Sequence, residues 1–190
     1  SLLVDSATRT MVVDGVQRQW RMGSLAREMF LRVVLGLVED PGLREEVRAR
    51  VEPLIRGGGA TATSFDPAFA ATLAGDALAA YRLATAADRA TALAALTSLS
   101  PDERANLEGL SANRVASGLR TPVFLMHDES DTAIPFSQLA PLAAAIPPAT
   151  ATSGAGECGH RRSMPISTTN VATATASVII EVCGRCCATL

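Results

Sequence analysis

The amino-acid sequence predicts an α/β protein: part of a sheet that bears a large helical insertion. Three observations carry this expectation. Thr121 to His127 is a compact apolar run, with Val123, Phe124, Leu125 and Met126 bounded by Pro122 and an acidic turn, the pattern of a strand buried on both faces. Residues about 11 to 118 place apolar side chains three and four apart, with no convincing strand among them, and that spacing is helical. Leu2 to Asp5 is a short apolar run that reads as a further strand or as a frayed terminus. Helices followed by strand, loop and helix point to a sheet carrying an inserted helical region.

The elements follow in order. Leu25, Met29, Phe30, Val33, Val34 and Leu37 line one helical face between Ser24 and Val38, and Asp40-Pro41-Gly42 ends that helix. Leu43, Val47 and Val51, at intervals of four, predict a second helix. Pro53 stops or kinks it, because proline lacks an amide donor. Arg44, Glu45, Glu46, Arg48 and Arg50 on the other face read as a solvated charged surface. Arg56-Gly57-Gly58-Gly59 reads as a connection; a phosphate-cradling loop needs a strand before it, a helix after it, and Lys with Ser/Thr in register, none of which is present. Phe65, Phe69 and Leu73 repeat every four residues, and Asp76 restarts a helix through Leu78, Tyr81 and Leu83. The Ala-rich stretch Ala86 to Leu99 favours helix by propensity. Ser100-Pro101-Asp102-Glu103 then combines an N-cap serine, a proline at the first helical position and a glutamate placed for a capping box. Beyond the acidic turn, Ser137 can cap a helix carrying Leu139, Leu142, Ala143 and Ile146, which Pro147-Pro148 terminates.

Composition narrows the function classes. The 190 residues are 48% hydrophobic and 19% charged, with a net charge of −2, which lacks the basic bias of a nucleic-acid binder. No apolar run reaches the length of a membrane span, and Met29 to Val38 is interrupted by Arg32 and Gly36. The N-terminal SLLVDSATRT has neither the basic start nor the apolar stretch of a secretory signal. A cytoplasmic location is therefore favoured, and the terminus reads as a chain entered partway through. Every basic residue is Arg and Ala is abundant, as a GC-rich coding sequence would give. Cys158, Cys183, Cys186 and Cys187 all fall in the last 33 residues.

The segment TPVFLMHDESDTAIPF, Thr121 to Phe136, resembles the strand and turn that deliver the catalytic acid in α/β-hydrolases. The resemblance covers residues about 98 to 160 and implies a partial α/β-hydrolase sheet with a large helical cap. It makes Asp131 the triad acid, with Ile134 and Pro135 holding the loop. His127 and Asp128 stand where many members have His-Gly, so Asp128 must take a left-handed or otherwise accommodating conformation. The acid's task would be to orient a histidine and stabilise its protonated form while that histidine activates a serine. His160, 29 residues after Asp131 in a glycine-containing loop, is the candidate base; His127, at the strand end, reads as structural.

The family's nucleophile lies in a G-x-S-x-G elbow upstream of the acid, and no such motif occurs here. Ser24 after Gly23 reads as a helix cap, and Ser153-Gly154 follows the acid. The resemblance then implies a nucleophile upstream of Ser1, a sheet strand in 1–10, the cap in 11–118 and the C-terminal core in 119–162. Residues 163–190 form an atypical tail, which reads as an out-of-frame or otherwise altered ending. The implied activity is hydrolysis of a small-molecule ester or related acyl bond, without cofactor or metal, and no oligomeric state is set. Trp20, Met22, Met29, Phe30, Phe65 and Phe69 are core residues or the wall of an acyl pocket, core being favoured for each.

Two other classes compete. A non-catalytic helical interaction module, with HDESD as an ordinary acidic loop, fits the charge and helix content. A metal site using His127, Asp128, Glu129 and Asp131 fits the preference of hard cations for carboxylates, but lacks the glycine and spacing of an EF-hand loop. The Cys183-Gly184-Arg185-Cys186-Cys187 cluster is superficially similar to C-x-x-C sites; zinc requires four ligands in suitable geometry and a redox pair its own βαβ setting.

Overall fold

Leu2–Thr8 forms a helix, α1, where the short apolar run pointed to a strand. The computed structural model, which describes residues 1–57, 65–121, 123–147, 151–155 and 178–182, gives the reason. Val4, Asp5 and Ser6 are all buried, so the short run carries an acid as well as apolar side chains into the interior. The buried Asp5 carboxylate meets Arg89 Nη1 at 2.6 Å, so it enters the interior paired. Arg9, in the left-handed region at φ 52° and ψ 33°, ends the helix.

Thr10–Val13 (β1) and Val16–Gln19 (β2) then pair antiparallel, Thr10 opposite Gln19 and Val13 opposite Val16. Asp14 and Gly15 between them have φ 52° and 77°. Two successive positive values are what a type I′ hairpin turn requires, and Asp-Gly is among the pairs that adopt it readily. The expectation of helices without a strand from residue 11 onward is corrected by this hairpin.

Ser24–Gly36 (α2) forms as predicted, but its buried face is Ala26, Phe30, Leu31, Val34 and Leu35, leaving Leu25 and Met29 exposed. Asp40-Pro41-Gly42 begins the next helix as well as closing off the last: Asp40 Oδ1 accepts from Leu43 N at 2.6 Å, and α3 runs Pro41–Gly57. Pro53 lies inside α3 without stopping it. Val47, Val51 and Ile55 are buried along one face, and arginines from elsewhere bind the final carbonyls. Arg9 Nη2 donates to Leu54 O at 2.7 Å and Arg27 Nη1 to Arg56 O at 2.8 Å. Such caps satisfy acceptors that a helix end leaves unpaired.

Pro67–Ala70 (α4), Gly75–Ala84 (α5), Arg89–Thr97 (α6), Pro101–Gly109 (α7) and Ala112–Ala116 (α8) follow. Ser100 Oγ accepts from Glu103 N at 3.3 Å, as the capping pattern predicted. Tyr81 is fully buried on α5, and its hydroxyl accepts from Asp66 N at 2.9 Å. Its ring meets Phe69 edge-on, with centroids 5.1 Å apart, a favoured aromatic geometry.

Val123–His127 forms β3, where the apolar run placed a strand. Ala151–Ala155 (β4) and Val178–Val182 (β5) flank it in parallel, in the order β4-β3-β5. Between β3 and β4, a 3-10 turn at Phe136–Gln138 leads into Leu139–Ala145 (α9). The chain divides into two compact units, Ser1–Ser111 with Thr132–Pro135, and Ala112–Asp131 with Phe136–Leu190. In the second, Ala116, Val123, Leu125 and Ile146 are buried together, with Leu119, Leu139 and Leu142 packed against them.

The α/β class, a partial hydrolase sheet with a helical cap, is overturned. The protein is mostly helical: helix makes up 61% of the structure described, in nine helices among the described residues. The strand expected in residues 1–10 is α1 and the first residue of β1, and β1 belongs to an antiparallel hairpin. The pairing around β3 joins three five-residue segments and does not organise the chain. The physical cause lies in composition. Aromatic residues are only 4% of a chain rich in Ala, Leu and Arg; these three favour helix, and few segments combine the β-branched and aromatic side chains that suit a pleated sheet.

Candidate functional site

The turn that follows β3 is closed by its own side chains. Ser130 N and Ser130 Oγ both donate to Asp128 Oδ1 at 2.8 Å, and Asp131 N donates to Asp128 O at 3.1 Å. This is an Asx-type turn, in which a short carboxylate substitutes for a backbone acceptor. Asp128 thereby replaces the expected glycine without a left-handed backbone: among the described non-glycine residues, positive φ belongs to Arg9 and Asp14.

Chain reversal brings Asp131 Oδ2 to 3.4 Å from His127 Nε2, the two side chains being 5% and 6% exposed. A short charge-assisted hydrogen bond spans about 2.7–2.9 Å, so this contact is a close approach, longer than such a bond. The imidazole also lies 5.8 Å from the Phe136 ring, inclined at 58°. The acid-bearing turn is thus a buried pair with an aromatic wall. Its chemistry is that of a carboxylate fixed beside an imidazole at a strand end.

His127, read from the sequence as structural, is the histidine found against Asp131. The signal was its four-residue spacing from Asp131, which suits a tight turn at the end of a strand as well as one turn of helix. His160 lies outside the described residues, as do Cys158, Cys183, Cys186 and Cys187. Among the described residues no group of three or more His, Cys, Asp and Glu is placed to hold a metal ion, so His127, Asp128, Glu129 and Asp131 do not gather as a cation site.

Ser24 is the first residue of α2 and Gly23 its N-cap. Gly23 N donates to Thr132 O at 2.7 Å. A Cβ at Gly23 would stand 2.8 Å from Thr132 Oγ1, so glycine is needed there for close backbone approach. Ser153 lies in β4. Trp20, Met22, Phe30 and Phe69 are core side chains of the first unit, whereas Met29 and Phe65 are exposed. Glu28, Arg32, Arg44 and Arg48 line an open groove of about 360 Å³ with Leu31 and Leu35. Its charges are paired locally: Arg32 with Glu28 and Arg48 with Glu45, each at 3.2 Å, while Arg44 Nε donates to Val38 O at 2.8 Å. Among the described residues, no helix is long and apolar enough to cross a membrane. No family model, curated protein or solved structure matches the chain.

Proposed function

We propose that the chain is part of a serine hydrolase acting on a small-molecule ester or related acyl bond, with Asp131 as its acid and His160 as its base. The observation that supports this most is the Asp131 carboxylate, buried and paired in the turn after β3. A buried carboxylate is costly unless compensated, and a fixed one can orient an imidazole and stabilise its protonated form. On this reading the serine lies outside these 190 residues, because no G-x-S-x-G occurs among them. The base would take the serine proton, an acyl-enzyme would form, and water would release the acid.

The test is labelling by a fluorophosphonate probe, applied to the natural translation product that contains this chain. Covalent labelling at one serine, slowed about 10⁴-fold by Asp131→Asn, is the expected result, since an amide selects the wrong imidazole tautomer. Absence of labelling, or a rate indifferent to that substitution, rejects the hydrolase. The helical content of 61% favours a second reading, a non-catalytic helical interaction module, which predicts no labelling.

A further inference from the structure

We propose that His127 is a positioning residue for Asp131, orienting its carboxylate from within the same turn; this rests on reading Asp131 as the acid of a hydrolase. Burial separates this role from that of a base. A general base must come within hydrogen-bond reach of the proton it removes, yet the His127 side chain is 6% exposed and lies beside the Phe136 ring. Its Nε2 lies 3.4 Å from Asp131 Oδ2.

Both partners are set by backbone structure. His127 is the last residue of β3, aligned with Ala155 on one side and Val182 on the other. Asp131 is placed by the turn that Asp128 closes through Ser130 N, Ser130 Oγ and Asp131 N. Strand and turn therefore hold imidazole and carboxylate at a fixed separation, the kind of support that keeps a functional group in one geometry. Contact at Oδ2 restrains rotation of the carboxylate about its bond to Cβ, and hence the direction from which a catalytic imidazole can meet it. Removing the imidazole takes away that restraint, and the acid's alignment loosens.

Two measurements test the proposal. In the chain itself, NMR should show His127 ring C–H resonances that shift in Asp131→Asn, a nearly isosteric change whose fold is checked by circular dichroism. Resonances unmoved by the substitution overturn the pairing. In the longer natural product, His127→Ala should slow fluorophosphonate labelling by up to about 100-fold, the scale of a small misplacement of a catalytic group. The half-saturating probe concentration should stay unchanged. His127→Gln, whose amide nitrogen lies near the position of Nε2, should restore most of the rate. Equal rates in wild type and His127→Ala overturn the positioning role. If wild type is not labelled while the resonances behave as expected, the hydrolase reading fails and takes the positioning role with it, leaving a structural pair.

Discussion

Asp5 is 1% exposed, and the guanidinium that meets it at 2.6 Å belongs to Arg89, whose Nη1 also lies 3.2 Å from Thr10 O. One side chain thus joins α1, β1 and α6. The Arg89 side chain is itself 23% exposed, so water reaches the pair from one side. Removing the guanidinium alone would leave a buried carboxylate without its cation, which costs about 3–5 kcal/mol where a buried pair is broken. Arg89→Ala is expected to lower the unfolding free energy by about 3 kcal/mol, near the lower end because of that water. Replacing both charges, as Asp5→Asn with Arg89→Met, should recover much of the loss. Urea denaturation of the three variants measures this. A loss under about 1 kcal/mol in Arg89→Ala would assign the pair to the exposed class instead.

At the scale of elements, local signals proved readable and distant ones did not. The cap at Ser100, the α5 restart and β3 each rest on neighbouring residues, and each formed. Asp5 of α1 pairs with Arg89, 84 residues later, and the last carbonyls of α3, beyond Pro53, accept from Arg9 and Arg27. Neither partner can be found by periodicity. The hairpin differs, since Asp14-Gly15 is a local signal that the surrounding helical spacing outweighed. Helix α6 offers the clearest pH test. Asp88 Oδ1 accepts from Thr91 N at 2.7 Å, and the Thr91 backbone bond, followed by the bond to its side chain, holds the Asp88 carboxyl below its ordinary value of 3.8. A folded value lower than the unfolded one means that the charged cap's contribution is complete above 3.8 and is lost as the pH falls through the folded value. Asp88→Asn keeps an acceptor without the charge. The Tm difference between wild type and Asp88→Asn should therefore shift against wild type between about pH 6 and about pH 3. A difference unchanged across that range would exclude a charge-dependent cap.

For the whole molecule, the strand and the acidic turn were legible because they form one contiguous segment, whereas the fold class was not, because it depends on the balance of helix and strand over the whole chain. The resemblance drew attention to Asp131; the approach of His127 to it depended on how the turn folds back. The first unit has its own buried set, including Val4, Phe30, Leu31, Val34, Val47, Val51, Tyr81 and Leu83, drawn from α1, α2, α3 and α5. Only Thr132–Pro135 joins it from beyond Ser111. A chain ending at Ser111 would lose that segment, with its bond from Gly23 N to Thr132 O and its fully buried Pro135. One such bond contributes about 0.5–1.5 kcal/mol net, and a domain near 100 residues shifts by about 4–8 °C in Tm for each kcal/mol. The expected outcome is a fragment that keeps its helical circular dichroism and melts in one cooperative transition, lowered by roughly 10–20 °C once the burial of Pro135 is included. Broad, non-cooperative melting or loss of the helical signal would show instead that the first unit's core cannot sustain it without the residues after Ser111.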